Sequence, residues 1–166
     1  GKKPVVLVQT PGGNTALIDT AGAGQQLANV IGRHVPPGAG IDLYLYNGRK
    51  NPSRESIKAF FERYPPQHIL LDTSLVSGRW LDEDAYDVDL PEPVALQDNL
   101  QVQLDDGVTL QVIKHTARST ALTITYGSFQ LLLPGGFSLE TLAQLPQFFL
   151  QGSSAVLLSA FEVPGS

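Results

Sequence analysis

Cysteine and methionine are both absent from the 166 residues of this chain, and histidine occurs only three times. Without cysteine there is no disulfide framework, no thiolate metal site and no cysteine nucleophile, so reactions that need a thiol are excluded. No apolar run approaches the ~20 residues needed to cross a bilayer, and we expect a soluble piece. Because the chain starts at Gly1 and has no Met, we expect it to be a segment of a longer protein.

Charged residues are scarce as well, at 16%, and the two signs are unevenly distributed. Between Trp80 and Ile113 there are nine acids and no lysine or arginine, which leaves seven acids against eleven bases elsewhere. This asymmetry is compatible with a face that attracts polyanions, although a solvated surface is the commoner explanation. The net charge of −5 excludes a uniformly basic nucleic-acid binder.

The length fits one domain over residues 1–166, since a chain near this size can bury roughly 70% of its unfolded surface. A hairpin is predicted where "PGGN" separates the apolar runs "PVVLVQT" and "TALIDT". A helix over "QQLANVIGRH", ending near His34, and a buried strand over Ile41–Tyr46 follow. The next helix is predicted to begin at Asn51-Pro52-Ser53, and its apolar positions fall at i, i+3, i+4 and i+7, namely Ile57, Phe60, Phe61 and Tyr64.

"HILLDT" reads as a fourth strand that starts at His68, and the acidic segment Leu81–Asn99 as an excursion with little regular structure. Four close strand-like runs, "LQVQL", "VTLQVIKH", "TALTITYG" and "FQLLLP", predict an antiparallel meander. A helix opened by Ser138 and disturbed at Pro146 precedes a last buried strand, "AVLLSAF". The sequence therefore predicts an α/β fold with two mixed sheets and helices on their outer faces.

Six stretches of the chain follow the order and spacing of a known domain: "VLVQTPGGNTALIDTAG", "IDLYLYNG", "HILLDTS", "LQVQLDDGVTLQVIKH", "STALTITYGSFQLLLPGG" and "SAVLLSAFE". They resemble the metallo-β-lactamase-like domain at the C-terminus of the bacterial competence protein ComEC, and the resemblance covers nearly the whole chain. It implies an αββα sandwich joined to a polytopic protein of the bacterial inner membrane that passes single-stranded DNA into the cell. Intact members carry a metal-dependent nuclease with two divalent metals such as Zn or Mn.

In that family the loop after the strand resembling "IDLYLY" holds His-x-His-x-Asp-His, because clustered metals need several imidazoles and a carboxylate. Here this loop has no histidine and no carboxylate, and a lysine in it repels a divalent cation. The bridging carboxylate is matched by Gly136, and the His-His-Gly after the last strand by Ala160-Phe161-Glu162, of which only Glu162 could ligate. The resemblance therefore implies a degenerate site without metal cofactor or catalytic residues, at positions Gly48, Lys50, Pro52, Ser53, Gly136, Phe161 and Glu162.

Two hypotheses follow from the resemblance. The first is a pseudoenzyme of a ComEC-related DNA-uptake protein, with a scaffold role or contacts to single-stranded DNA. Its partners are the transmembrane remainder of the parent chain and the competence machinery, and no nucleotide cofactor is expected because "TAGAG" lacks the P-loop lysine. The second is a metal-dependent hydrolase with the atypical ligands Glu162, Asp19 and His115. Candidate DNA contacts are Arg49, Lys50, Arg54, Lys114, His115 and Arg118.

Isolated polar residues are predicted to be structural. None of the histidines has a second histidine within four residues, and His115 is placed on a loop that faces the former pocket. Asp19, at the end of a strand, is expected to accept backbone N–H bonds at the turn that follows. Asp42 and Asp72 flank strands and receive no role. Tyr44 and Tyr46 share one strand face and could stack on bases, whereas core packing is favoured for Phe60 and Phe61.

Overall fold

The computed structural model describes residues 5–19, 24–48, 52–72, 89–117, 119–148 and 155–157. Three helices and ten strands are assigned within these ranges. In chain order they are β1 (Val5–Gln9), β2 (Thr15–Asp19), α1 (Gly24–Ile31), β3 (Ile41–Tyr46), α2 (Arg54–Arg63), β4 (Pro66–Leu71), β5 (Val94–Ala95), β6 (Gln101–Asp105), β7 (Val108–Thr116), β8 (Ser119–Tyr126), β9 (Phe129–Leu133), α3 (Leu139–Ala143) and β10 (Ala155–Leu157).

The strands form two five-stranded mixed sheets. Sheet A has the order β1-β2-β3-β4-β5, with β1 antiparallel to β2 and the other pairs parallel. Sheet B has the order β10-β9-β8-β7-β6, and all of its pairs are antiparallel except β10 with β9. The predicted hairpin and meander are confirmed. Because β2, β3 and β4 are parallel, their carboxyl ends meet at one edge of sheet A, which we call the carboxyl edge.

Alternation of side chains along the strands separates the core into three layers. One face of sheet A packs on α1 and α2, where Leu17 and Tyr44 contact Leu27, Ile57 and Phe61. Its other face packs on sheet B through a cluster that includes Leu43, Leu45, Leu110, Val112 and Leu122. Helix α3 covers the far side of sheet B through Leu142, which packs with Ile113, Ala121 and Leu132. The predicted order of helix, sheet, sheet and helix is confirmed.

The apolar stripe of α2 is fully buried, as its spacing predicts. Ile57, Phe60, Phe61 and Tyr64 are all 0% exposed, and each such side chain contributes roughly 1.5–3 kcal/mol by leaving water. Ser53 caps the helix with its Oγ, which accepts the N–H of Ser56 at 3.5 Å. Pro52 therefore precedes the cap. The sequence had instead suited it to the first helical turn.

Several predicted boundaries are wrong for local or tertiary reasons. Helix α1 ends at Ile31 because a tight turn follows, in which the N–H of His34 donates to the carbonyl of Ile31. His68 lies inside β4 and not at its start, because Pro66 already pairs with Ile41 of β3. Helix α3 ends before Pro146.

The sequence analysis also missed a short parallel strand within the acidic segment. Val94 and Ala95 form β5 beside β4, and the N–H of Leu96 donates to the carbonyl of Leu71 at 2.8 Å. Residues 81–88 of that segment lie outside the described residues. Among the helices that are described, none is long and apolar enough to cross a membrane.

Asp105 ties the first turn of sheet A to sheet B at the end opposite the carboxyl edge. Its Oδ2 accepts the hydroxyl of Thr10 at 2.6 Å and the N–H of Gly12 at 2.7 Å. Asn14 adds a bond from its Nδ2 to the carbonyl of Leu104 at 2.7 Å. The Thr10 hydroxyl, followed by the backbone N–H groups of Asp106 and Gly12, lowers the pKa of Asp105.

We expect Asp105→Asn to lower the melting temperature at pH 7. A carboxylate with a lowered folded-state pKa contributes its full stabilisation above its unfolded pKa of about 3.9, and loses it as the pH falls through the folded value. The difference between the variant and the wild type should therefore shrink below about pH 4, as measured by thermal unfolding. Asp106→Asn is the matched control, because only the backbone of Asp106 contacts Asp105. A pH-independent difference would contradict the electrostatic explanation.

Candidate functional site

Polar side chains collect at the carboxyl edge, where parallel α/β sheets place their binding sites. Asp19 ends β2, Gly48 follows β3, and Asp72 follows β4. Sheet B contributes the hairpin between β7 and β8 and the turn at Gly135-Gly136. These segments together form the region that the sequence assigns to the former metal site.

His115 is the centre of the polar contacts at this edge. Its Nδ1 lies 2.8 Å from Thr120 Oγ1, and its Nε2 lies 3.3 Å from Asp72 Oδ2. Its backbone N–H donates to Asp98 Oδ1 at 2.6 Å. The side chains of His115 and Asp72 are 11% and 10% exposed, so the ring lies between the sheets. The prediction that His115 lies on a loop is wrong, since it belongs to β7 and pairs with Thr120 of β8.

This arrangement restricts the chemistry of His115. Its Nδ1 is hydrogen-bonded to Thr120, whereas its Nε2 faces Asp72 Oδ2 at an ion-pair distance that lacks hydrogen-bond geometry. The order Thr120, His115, Asp72 is that of a nucleophile, a base and an acid. Thr120 is only 2% exposed and lies inside the sandwich, so a substrate has no approach to its hydroxyl. His115 therefore joins the two sheets.

Asp19 is fully buried, at 0% exposure, but on the other face of sheet A. By strand alternation it points to the helices, as Leu17 does, whereas Asp72 shares the inner face of Leu70. Its Oδ2 accepts the hydroxyl of Tyr44 at 2.7 Å, a side-chain donor that the sequence did not predict. Sheet A therefore separates Asp19 from His115, and Glu162 lies outside the described residues.

Tyr46 lies beside Asp19 in the parallel register of β2 and β3. Burial, and secondarily the negative charge of Asp19, raise the pKa of Tyr46 to about 12. Its hydroxyl therefore stays protonated at neutral pH and supplies no phenolate for a cation. Its ring stacks on Tyr44, with centroids 6.5 Å apart and planes at 8°, so both tyrosines belong to the core and are closed to stacking on bases.

The other former ligand positions that are described hold no metal-binding group. Gly48 and Pro52 are buried, and Gly136 adopts φ 95°, where a carboxylate side chain would be strained. Ser53 caps α2 and donates to Glu55 at 2.9 Å, which lowers the pKa of that carboxyl. Within the described ranges no three His, Asp or Glu residues are grouped to hold a metal. Among these positions, the described residues therefore offer no ligand set for a pair of divalent ions, while Lys50, Phe161 and Glu162 lie outside the described part.

The candidate DNA contacts occupy different layers. Arg54 is exposed at the start of α2, on the outer side of sheet A. Lys114 pairs in register with Ala121, whose side chain packs under α3 on the outer side of sheet B. The thickness of the sandwich separates these two cations. Arg49, Lys50 and Arg118 lie outside the described residues, so their assignment stays a prediction.

Three partners of the site could not be found by sequence reasoning: Asp72, Asp98 and Thr120. The sequence analysis gave Asp72 only a position beside a strand, although an acid directly after the apolar run "ILL" is a signal of a polar group near a core. What brings Asp72 to His115 is the packing of sheet A on sheet B. Asp42 was missed because of strand pairing within sheet A, since its Oδ2 accepts the N–H of Thr15 from the adjacent strand at 2.6 Å.

No protein-family model matches the chain, and neither does any curated protein. Solved structures do match. Zn²⁺-bound PqqB from Methylobacterium extorquens superposes with a TM-score of 0.57 at 11% identity, over 77% of this chain and 50% of that one. The metallo-β-lactamase fold protein YhfI from Bacillus subtilis gives 0.53 at 16% identity, over 77% and 52%. A metallo-β-lactamase from Cronobacter sakazakii with a HARLDQ motif gives 0.52 at 21% identity, over 81% and 58%.

The chain has the metallo-β-lactamase fold. The fold class predicted from the sequence is thereby confirmed, including the αββα sandwich. The chain spans about half to three fifths of the length of the structures that it matches. At these identities the likeness describes the path of the backbone, so the chemistry of this metallo-β-lactamase fold has to be argued from its own side chains.

We expect His115→Gln to lower the free energy of unfolding by about 1–3 kcal/mol, because it leaves Asp72 and Thr120 with a poorer buried partner. Urea denaturation at pH 7 measures the loss. His68→Gln is the matched control, since His68 is exposed in β4, and we expect it to change stability by less than about 0.5 kcal/mol. Equal effects of the two substitutions would contradict a clamping role for His115.

Alkaline unfolding should report on Tyr46. A folded-state pKa raised to about 12 gives stabilisation that is complete below the ordinary pKa of about 10, and that is lost as the pH rises towards 12. We therefore expect the wild type to lose up to about 1.4 kcal/mol per pH unit between pH 10 and 12 from this one group. Tyr46→Phe should remove that part of the slope. Tyr126→Phe, at an exposed tyrosine, should leave it unchanged.

Proposed function

We propose that this chain is a non-catalytic metallo-β-lactamase-fold domain of a ComEC-related protein that takes up DNA during transformation. Its carboxyl edge serves as a scaffold and as a contact surface for single-stranded DNA. The observation that carries the proposal is the enclosed position of His115 between the sheets, where its Nδ1 is hydrogen-bonded to Thr120 and its Nε2 faces Asp72 at 3.3 Å. The histidine nearest to the former site is thus part of the sandwich.

The chemistry of metal-assisted hydrolysis supports this proposal. Activation of a water between two cations needs several nitrogen and oxygen ligands that converge on one open volume. The described positions of the former loop offer Gly48, Pro52 and the capping hydroxyl of Ser53. Asp19 points into the helix layer, away from His115. A ligand set built from Asp19, His115 and Glu162 would need two of its members on opposite faces of sheet A.

A role in contacting DNA is supported by the basic residues that follow β3. Lys50 stands in the sequence at a position where the resemblance places an imidazole ligand, Arg49 and Arg54 lie beside ligand positions of that motif, and Arg54 is exposed. Guanidinium groups bind phosphate through paired hydrogen bonds. Fixed positive charges at this position keep the attraction for a phosphate backbone without activating a water. His115, whose side chain is 11% exposed, is proposed to contribute structure and not contacts to this surface.

The proposed context is the bacterial inner membrane. In this interpretation the transmembrane remainder of the parent chain and the competence machinery are the partners of the domain. The support is the ordered series of sequence stretches that resembles ComEC, together with the fold. The resemblance leaves open on which side of the membrane the domain lies.

Elemental analysis and a nuclease assay test the non-catalytic assignment. We expect the purified chain, dialysed against zinc or manganese and then against buffer, to retain well under one metal ion per molecule. We also expect no cleavage of single-stranded DNA in manganese. Two tightly held ions per chain, with cleavage abolished by Glu162→Gln, would instead establish the alternative of a metal-dependent nuclease with atypical ligands.

Binding of a labelled single-stranded oligonucleotide at several salt concentrations tests the contact role. Each phosphate neutralised contributes about 0.7 to the slope of log K against log salt for single strands. We expect Arg49→Ala with Lys50→Ala to reduce the magnitude of that slope by about 1.4. Arg33→Ala with Arg63→Ala is the charge-matched control. Arg33 follows the end of α1 and Arg63 is the last residue of α2, so both lie at the end opposite the carboxyl edge. Salt-insensitive or absent binding would leave a scaffold role alone.

A further inference from the structure

Gly48 lies against the side chain of Tyr46 two residues earlier. A Cβ built on Gly48 would overlap Tyr46 Oη and Cζ and would lie 2.8 Å from Cε2. Outside their own residue and its two chain neighbours, Cβ atoms essentially never come within 3.0 Å of a heavy atom. Gly48 is not among the glycines with positive φ, so its backbone conformation is open to other residues. The reason for glycine at this position is therefore the space that Tyr46 takes.

Tyr46 has little freedom to yield that space. It is 4% exposed, and its ring stacks on Tyr44. Tyr44 is itself fixed, since its hydroxyl donates to Asp19 and its ring meets Phe61 edge-on at 5.0 Å. Three atoms of the Tyr46 side chain would collide with the new carbon, so a small shift of the hydroxyl alone does not relieve the contact. A larger movement would disturb the aromatic layer between sheet A and α2.

We propose that Tyr46 and Gly48 form an interlock in which the phenol fills the volume of any side chain at residue 48. This inference deepens the proposed function and rests on it in one respect, the assignment of residue 48 to the first ligand position of the former metal loop. The site is then closed by packing of the end of β3 against residue 48, as well as by loss of ligands in the loop. A ligand side chain at residue 48 requires a shorter residue at position 46.

A double-mutant cycle tests the interlock. The variants are Gly48→Ala, Tyr46→Leu and the double variant, each followed by thermal unfolding. In the wild-type background we expect Gly48→Ala to lower the melting temperature by roughly 3–10 °C, the range for overpacking a core. In the Tyr46→Leu background the same change should cost less than about 2 °C. Equal losses in the two backgrounds would overturn the proposal.

Failure of one variant to fold leaves the test decisive. If Gly48→Ala does not fold alone, recovery of a cooperative transition in the double variant supports the interlock, and its absence overturns it. If Tyr46→Leu does not fold, Tyr46→Phe replaces it. This change removes the nearest of the three contacts and should recover part of the loss caused by Gly48→Ala, so that no recovery overturns the proposal.

Gly38→Ala is the matched control. Gly38 adopts φ 82° with nothing within 4 Å of the position that a Cβ would take, so alanine there strains the backbone without meeting Tyr46. We expect the same loss of melting temperature with Tyr46 and with Leu at position 46. A comparable recovery for Gly38→Ala would show that Tyr46→Leu acts generally and would overturn the interlock. Thermal unfolding of these variants involves neither metal nor DNA, so failure of the interlock leaves the proposed function standing. Failure of the proposed function would likewise leave the packing of Tyr46 on Gly48 standing.

Discussion

The contact of one imidazole with both sheets is the constraint on which the carboxyl edge depends. The ring of His115 contacts Thr120 of its own sheet and faces Asp72 of the other sheet, in a space with little access to water. Polar groups in such a space are costly unless each has a partner. The ring therefore acts as structure, and the two sheets must keep the alignment that lets Nε2 reach Asp72. An open metal site at the same place would need that contact to be given up.

The two ends of the sandwich are joined by polar contacts of different kinds. At the carboxyl edge a histidine and an aspartate meet between the inner faces. At the opposite end Asp105 holds the exposed turn around Gly12 through hydrogen bonds to one carboxylate. Between them the sheets meet through leucine, valine and isoleucine side chains. Apolar packing is non-directional, so these directional contacts at both ends contribute to fixing how one sheet lies on the other.

The metallo-β-lactamase fold of this chain fixes the path of the backbone, and the side chains at the carboxyl edge are a separate question. The parallel strands bring their carboxyl ends together. The positions at that edge hold Asp19, which is buried beside Tyr44 and Tyr46, then Gly48, and the helix cap Ser53. Each has a packing role that the structure describes. Fold alone therefore does not indicate activity, and the side chains of the edge are the level at which function is argued.

Local patterns determined much of the architecture. The stripe of α2, the run of β3, the first hairpin and the meander follow from periodicity and turn residues within short windows. The lack of histidine and carboxylate between residues 47 and 53 is likewise readable from the sequence alone. What only the tertiary structure decided is which polar residues meet. Asp72 and His115 lie far apart in the sequence, and Asp19 faces away from both. These relations depend on strand register, side-chain face and the docking of two sheets, none of which is encoded in a local window.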